Sequence, residues 1–91
     1  MFGMYKNQFE KSADLFRGLS VLKEEIVDNK TGRVCTVNKV WNTYLDMFGN
    51  RRDTNEIWEE IDSRFTLEDY QYNILLNLSK ALEICVESGV L

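Results

Sequence analysis

Two pairs of carboxylates in the sequence could bind a divalent cation. Glu25 and Asp28 lie three residues apart, and Glu59 and Asp62 repeat that spacing further along the chain. Residues three apart share one side of a helix, so each pair would present its carboxylate oxygens together. Mg²⁺ prefers oxygen ligands and is often held jointly by carboxylates and substrate phosphates. Two such pairs on separate helices would suit metal-dependent chemistry on a nucleotide.

The stretch around the first pair, Glu24-Glu25-Ile26-Val27-Asp28, resembles a motif of the all-α nucleotide pyrophosphohydrolases of the MazG type. These enzymes carry glutamate-rich motifs on two helices. The resemblance covers the four paired carboxylates, and Asp28 is the one residue out of the Glu-Glu-x-x-Glu pattern. The resemblance implies Mg²⁺-dependent hydrolysis of a nucleotide. This enzymatic activity is the alternative to the binding function that we favour below.

Other catalytic and metal-binding chemistries lack their usual residues. The chain has no histidine, which is the commonest general base and the commonest metal ligand. Cys35 and Cys85 stand fifty positions apart, far from the close ligand pairs of a zinc site. No glycine-rich phosphate loop or Gly-x-Ser-x-Gly turn is present. We therefore predict no catalytic residue, no metal, no cofactor and two free thiols.

Charge is distributed unevenly along the chain. Residues 1–52 hold nine Lys/Arg and six Asp/Glu, a net charge of +3, whereas residues 53–91 hold two and nine, a net charge of −7. Seven of the fifteen acidic residues fall within residues 53–69. Such a segment is either an ordinary solvated helix face or a docking surface that attracts a basic partner.

The functional interpretation that we favour is a small non-enzymatic protein-binding module, a regulatory, adaptor or inhibitor protein that acts by occupying a partner's surface. A structural subunit of a larger assembly is a further alternative. The predicted partner-binding residues are acidic, with one tryptophan as an anchor: Glu56, Trp58, Glu59, Glu60 and Asp62. Direct nucleic-acid binding is not expected, because phosphates would repel this helix. The partner could instead be a protein whose nucleic-acid groove accepts an acidic mimic.

The first segment is predicted to be a long helix, because its apolar residues recur at spacings of three and four. For the last residues of this segment, an alternative to the helix remains open. Residues 25–27 and 34–37 are rich in β-branched side chains and could form a hairpin with Gly32 in a left-handed turn. The helical stripe consists of Phe2, Tyr5, Phe9, Ala13, Phe16, Leu19, Leu22 and Ile26.

Three further helices are predicted. The second starts after Thr36 or Asn38 and ends at Gly49-Asn50. The third opens at Asp53 or Thr54, and its apolar stripe comprises Ile57, Trp58, Ile61 and Phe65. The fourth opens at Thr66, with Asp69 completing a capping box, and runs to about Ser88.

The expected fold is therefore all-α, a compact bundle of about four helices in a single domain over residues 1–91. Ninety-one residues, 44% hydrophobic and 29% charged, are ordinary for one globular domain. No apolar run is long enough for a transmembrane helix, and the start of the chain does not resemble a secretory signal, so a cytoplasmic protein is expected. The asparagine content and only two alanines are typical of an AT-rich bacterial or phage genome.

Apolar surface in excess of what a small monomer can bury predicts a homo-oligomer, most simply a two-fold dimer. The fourth predicted helix is apolar over more than half of its circumference, and the chain begins with several aromatic residues. The predicted interface residues are Phe2, Tyr5, Phe9, Tyr72 and Leu76.

Overall fold

The computed structural model describes Phe16 and residues 19–88. This part of the chain forms a three-stranded antiparallel sheet and three α-helices, preceded by a short 3₁₀ helix over Ser20–Lys23. The strands are β1 (Glu25–Asp28), β2 (Arg33–Thr36) and β3 (Phe65–Thr66). The helices are α1 (Val37–Gly49), α2 (Thr54–Arg64) and α3 (Asp69–Ser88). The prediction of an all-α four-helix bundle is therefore wrong, and the fold is mixed α/β.

The error lies at the end of the predicted first helix. Residues 25–28 are a strand that pairs with β2, from Glu25 opposite Thr36 to Asp28 opposite Arg33. Gly32 closes the turn with a φ of 72°, a conformation that glycine adopts without steric cost. The alternative hairpin at residues 25–37 is thus confirmed. Residues 1–15 and 17–18 of the predicted helix lie outside the described residues.

A third strand stabilises this hairpin. β3 pairs with the other side of β1, placing Val27 opposite Thr66 and Asp28 opposite Phe65. The Asn29 N–H extends the ladder by donating to the Arg64 carbonyl at 2.7 Å. A two-stranded hairpin is marginal in water, and a third strand with a buried face provides the missing stability. Phe65, predicted to be the last residue of the apolar stripe of a helix, instead belongs to β3, and its ring is buried.

The second and third predicted helices are confirmed as α1 and α2, but the predicted capping box of the fourth is wrong. Thr66 belongs to β3, and α3 begins at Asp69. The Tyr72 N–H donates to the Glu68 carbonyl, and the Glu68 N–H donates to Oε1 of Gln71 at 2.9 Å. Gln71 therefore plays the capping-box role two residues later than the sequence pattern indicated.

The end of α1 carries a strained residue. Arg51 has a φ of 61°, in the left-handed region, and its N–H donates to the Phe48 carbonyl at 3.0 Å. The Arg52 N–H donates to the Met47 carbonyl at 3.1 Å. This pair of hydrogen bonds is the Schellman motif, whose left-handed position is usually occupied by glycine.

We expect Arg51→Gly to stabilise the fold relative to Arg51→Ala by about 1 kcal/mol, because only glycine relieves the left-handed strain. Both changes remove the same side chain, so the alanine variant is the control for its lost contacts. Urea unfolding measures the difference. Equal stability of the two variants would show that this position carries no backbone strain.

The helices meet along a row of aromatic rings. Trp41 of α1 contacts Phe16 edge-on at 6.1 Å and stacks on Tyr44 at 5.5 Å. Tyr44 lies 5.1 Å from Trp58 of α2, which in turn meets Tyr72 of α3 edge-on at 5.4 Å. Such pairs contribute about 0.5–1.5 kcal/mol beyond their buried area. The row fixes the three helices relative to one another, and thereby fixes the outer face of α2.

Candidate functional site

The four carboxylates that the alternative enzymatic function would need as Mg²⁺ ligands do not come together. Because β1 is a strand, Glu25 and Asp28 lie on opposite faces of the sheet: Glu25 is exposed and Asp28 is fully buried. Glu59 and Asp62 are exposed on α2. Within residues 19–88 no group of three His, Cys, Asp or Glu side chains is placed to hold a metal ion. The arrangement implied by the pyrophosphohydrolase resemblance is thus not formed by these residues.

The buried carboxylate of Asp28 instead organises a partly buried network of hydrogen bonds. Its Oδ1 accepts the Lys30 N–H at 2.9 Å, within the hairpin turn. Its Oδ2 accepts from Lys39 Nζ at 3.2 Å and from Arg64 Nη2 at 3.4 Å. Lys39 lies in the first turn of α1 and Arg64 is the last residue of α2. One carboxylate therefore ties the hairpin to both helices.

The charge states around Asp28 follow from this network. Burial raises the pKa of Asp28, but the Lys30 N–H and the cations Lys39 and Arg64 outweigh it and hold the pKa below its ordinary value of 3.8. Burial raises the pKa of the neighbouring Cys35 thiol. Cys35 is therefore protonated at neutral pH and a poor nucleophile. Both Cys35 and Cys85 are free thiols, as predicted.

A second network joins the start of the sheet to α3. The carboxylate of Glu24 accepts hydrogen bonds from the Tyr70 hydroxyl and, at 2.9 Å, from Nε2 of Gln71. Gln71 is buried, and its oxygen already accepts the Glu68 N–H. The hydrogen bonds from Tyr70 and Gln71 lower the pKa of Glu24, and the bond to Glu24 raises the pKa of Tyr70.

We expect stability to fall with acidification once the pH passes below 4.5, the ordinary pKa of Glu24. A carboxyl whose pKa is lowered by folding contributes stability above its unfolded pKa and loses it as the pH falls through its folded pKa. In Glu24→Gln the free energy of unfolding should therefore fall less steeply with acidification, and the remaining fall is the contribution of Asp28. Urea unfolding at a series of pH values above and below 4.5 measures this free energy, with the exposed neighbour Glu25→Gln as control. An acid loss unchanged in Glu24→Gln would contradict this assignment.

The acidic residues predicted to bind a partner all lie on the outer side of α2. Glu56 and Glu60 are one turn apart, and Glu59 and Asp62 lie beside them. All four side chains are exposed. Glu60 pairs with Arg52 Nη1 at 3.4 Å. The carboxylates of Glu56, Glu59 and Asp62 pair with no lysine or arginine among the residues that the structure describes. We call the four residues Glu56, Glu59, Glu60 and Asp62 the acidic face.

Trp58, the predicted anchor, is half-buried beneath the acidic face. Its ring lies between Tyr44 and Tyr72 in the aromatic row. Ile57 and Ile61 of the same helix are fully buried. Trp58 therefore holds α2 against its neighbours, while any direct contact with a partner stays a prediction.

An open depression of about 510 Å³ adjoins the acidic face. Asp62 contributes to it from α2, while Asp69 and Tyr72 contribute from the start of α3. Burial and the nearby Asp62 raise the pKa of Tyr72, so its hydroxyl stays protonated. Sequence reasoning missed Asp69 as a neighbour of Asp62, because the short strand β3 folds α3 back beside the end of α2. The full lining is Asn29, Asp62, Phe65, Thr66, Leu67, Asp69 and Tyr72.

The predicted oligomer interface is only partly covered by the described residues. Tyr72 and Leu76 are half-buried on α3, and Tyr72 packs on Trp58. Much of the wide apolar surface of α3 is accounted for by burial of Leu75, Leu78 and Leu82. Phe2, Tyr5 and Phe9 lie outside the described residues. Self-association therefore stays a prediction.

The chain matches no protein-family model, and no curated protein or solved structure is significantly similar to it. Among the helices of residues 19–88, none has the length and apolar character needed to span a membrane.

Proposed function

We propose that this protein is a non-enzymatic binding module whose acidic face docks onto a basic surface of a protein partner. The observation that carries the proposal is the set of three exposed carboxylates, Glu56, Glu59 and Asp62, without a cation partner among the described residues. Exposed charges of one sign steer oppositely charged partners and restrict which ones fit. The compartment we propose is the cytosol, where two free thiols remain reduced.

The rigidity of α2 supports this proposal. Ile57 and Ile61 are fully buried, and Trp58 is held by rings on either side. The acidic side chains therefore project from a backbone that is already ordered. A preordered surface binds at a lower entropic cost than one that must order on contact.

The test is affinity capture with matched charge-reversal variants. The immobilised wild-type protein is compared with Glu56→Lys/Glu60→Lys and with the control Glu83→Lys/Glu87→Lys, using extract of the native host. Both pairs are one helical turn apart and change the net charge equally. Far-ultraviolet circular dichroism confirms that each variant is folded.

We expect a protein that is retained by the wild type and by the control and is lost by the α2 variant. Retention that falls equally in both variants would attribute binding to overall charge. Retention by all three proteins, or no retained protein at all, would contradict docking through the acidic face.

A further inference from the structure

Among the described residues, the outer side of β2 pairs with no other strand and forms an edge of the sheet. The strand order is β2–β1–β3, and no described strand lies beyond β2. The Val37 N–H donates to the Glu24 carbonyl, so Val37 and Glu24 form a hydrogen-bonded pair. In an antiparallel ladder every second residue has its backbone N–H and C=O directed toward the same neighbouring strand, so residues 35 and 33 also direct these groups toward β1. The N–H and C=O of Val34 and the N–H of Thr36 therefore point outward, away from the sheet. These groups form a template for one more strand.

The side chains at this edge favour a particular strand. Val34 is 63% exposed and lies opposite Val27, which is 40% exposed on the same face. Arg33 is exposed and forms no ion pair with a carboxylate among the described residues. Lys30 is exposed in the adjacent turn, whereas Lys39, beyond the strand, is already paired with Asp28. The edge thus combines an apolar face with the two cations Arg33 and Lys30.

Two observations argue against a second copy of this chain as the occupant. Pairing β2 with itself around Val34 would place the two Arg33 side chains on one face as diagonal neighbours about 7–8 Å apart, where like charges repel. The edge is also only four residues long. It would supply a small part of the roughly 1,200–2,000 Å² that a stable interface buries.

We infer that β2 receives an extended, acidic segment of a partner protein as a fourth, antiparallel strand. The partner residue opposite Val34 exchanges two backbone hydrogen bonds with it. The next partner residue then lies directly opposite Arg33, where a glutamate or aspartate is favoured over a neutral side chain. The pattern recognised is an apolar residue followed immediately by an acid. This surface is separate from the acidic face and selects the opposite charge.

A synthetic peptide tests this inference. The probe is a capped peptide of about seven residues, within ordinary strand length, with a central valine followed by glutamate and threonine elsewhere. We expect a weak dissociation constant of about 1 mM, measured by amide shifts of the isotope-labelled protein at Val34 and Thr36. Arg33→Glu should weaken binding about three- to tenfold, whereas the equal charge change Lys80→Glu on α3 should not.

Changes in the peptide keep the test independent of protein folding. Replacing its glutamate with lysine should weaken binding to a similar extent, and N-methylation of its central valine should abolish it, because the paired N–H is lost. Binding that survives N-methylation, or shifts confined to other surfaces, would overturn strand addition. Equal effects of Arg33→Glu and Lys80→Glu would overturn the role of Arg33.

Two control measurements identify other occupants. A dimer that Val34→Lys dissociates would show that a second copy occupies the edge. Slow exchange of the Val34 amide in the isolated monomer would show that the chain's own residues cover it. Either result would overturn the inference.

Discussion

Replacing Asp28 with alanine lowers the melting temperature by at least about 10 °C, because it removes a fully buried carboxylate that accepts three hydrogen bonds, two of them from cations. Asp28 is fully buried, and its carboxylate is shared by the Lys30 N–H, Lys39 and Arg64. Without it, the hairpin loses its polar connection to the first turn of α1 and the last turn of α2. Thermal unfolding followed by circular dichroism measures the change.

Two companion variants separate charge from contact. Asp28→Asn keeps an acceptor for the Lys30 N–H but loses the charge, so its melting temperature should lie between those of the wild type and Asp28→Ala. Asp62→Ala removes an exposed carboxylate and should shift the melting temperature by only a few degrees at most. If Asp28→Ala behaved like Asp62→Ala, the network would be solvated in solution and would not organise the fold.

Trp41→Ala destabilises the protein by about 3–5 kcal/mol, a large part of the 5–15 kcal/mol that holds a typical domain folded. Trp41 is fully buried and contacts both Phe16 and Tyr44 in the aromatic row. Its removal opens a cavity where α1 meets its neighbours. Urea unfolding gives the free energy of unfolding. The fluorescence of Trp58 should also change, because its neighbour Tyr44 loses the stacking contact with Trp41.

Trp41→Phe is the matched control for this prediction. The buried Nε1 of Trp41 has no hydrogen-bond partner among the described residues, so phenylalanine removes a polar group that folding desolvates without compensation. We expect a clearly smaller cost than for Trp41→Ala, because phenylalanine keeps a ring in the aromatic row and leaves a smaller cavity. If Trp41→Phe were as destabilising as Trp41→Ala, the indole N–H would have to form a hydrogen bond that stabilises the fold.

The helices could be predicted from the sequence because their information is local. Apolar spacing from Val37 to Phe48 and from Ile57 to Ile61 marks the buried sides of α1 and α2. The same spacing placed Glu56 and Glu60 on the exposed side, which the structure confirms. These patterns depend on the helical period alone, so no knowledge of distant contacts was needed.

The sheet could not be predicted with equal ease because it depends on distant residues. Ile26 fits a helical stripe and a strand equally well, and the choice is decided by Phe65 and Thr66 pairing with β1. The partners of Asp28 lie 11 and 36 positions away in the sequence. Asp28 was therefore read as one of a surface pair with Glu25, although the strand places the two on opposite faces.

The most direct test of the proposed docking is the salt dependence of the affinity for any partner that the affinity-capture experiment identifies. Raising the salt from 0.1 to 1 M shortens the Debye length from about 10 Å to about 3 Å, which screens exposed charges. We predict a steep loss of affinity for the wild type and for Glu83→Lys/Glu87→Lys. Glu56→Lys/Glu60→Lys should bind at least about tenfold more weakly at low salt, with a smaller dependence on salt. Equal affinities and equal salt dependence for all three proteins would show that Glu56 and Glu60 take no part in binding.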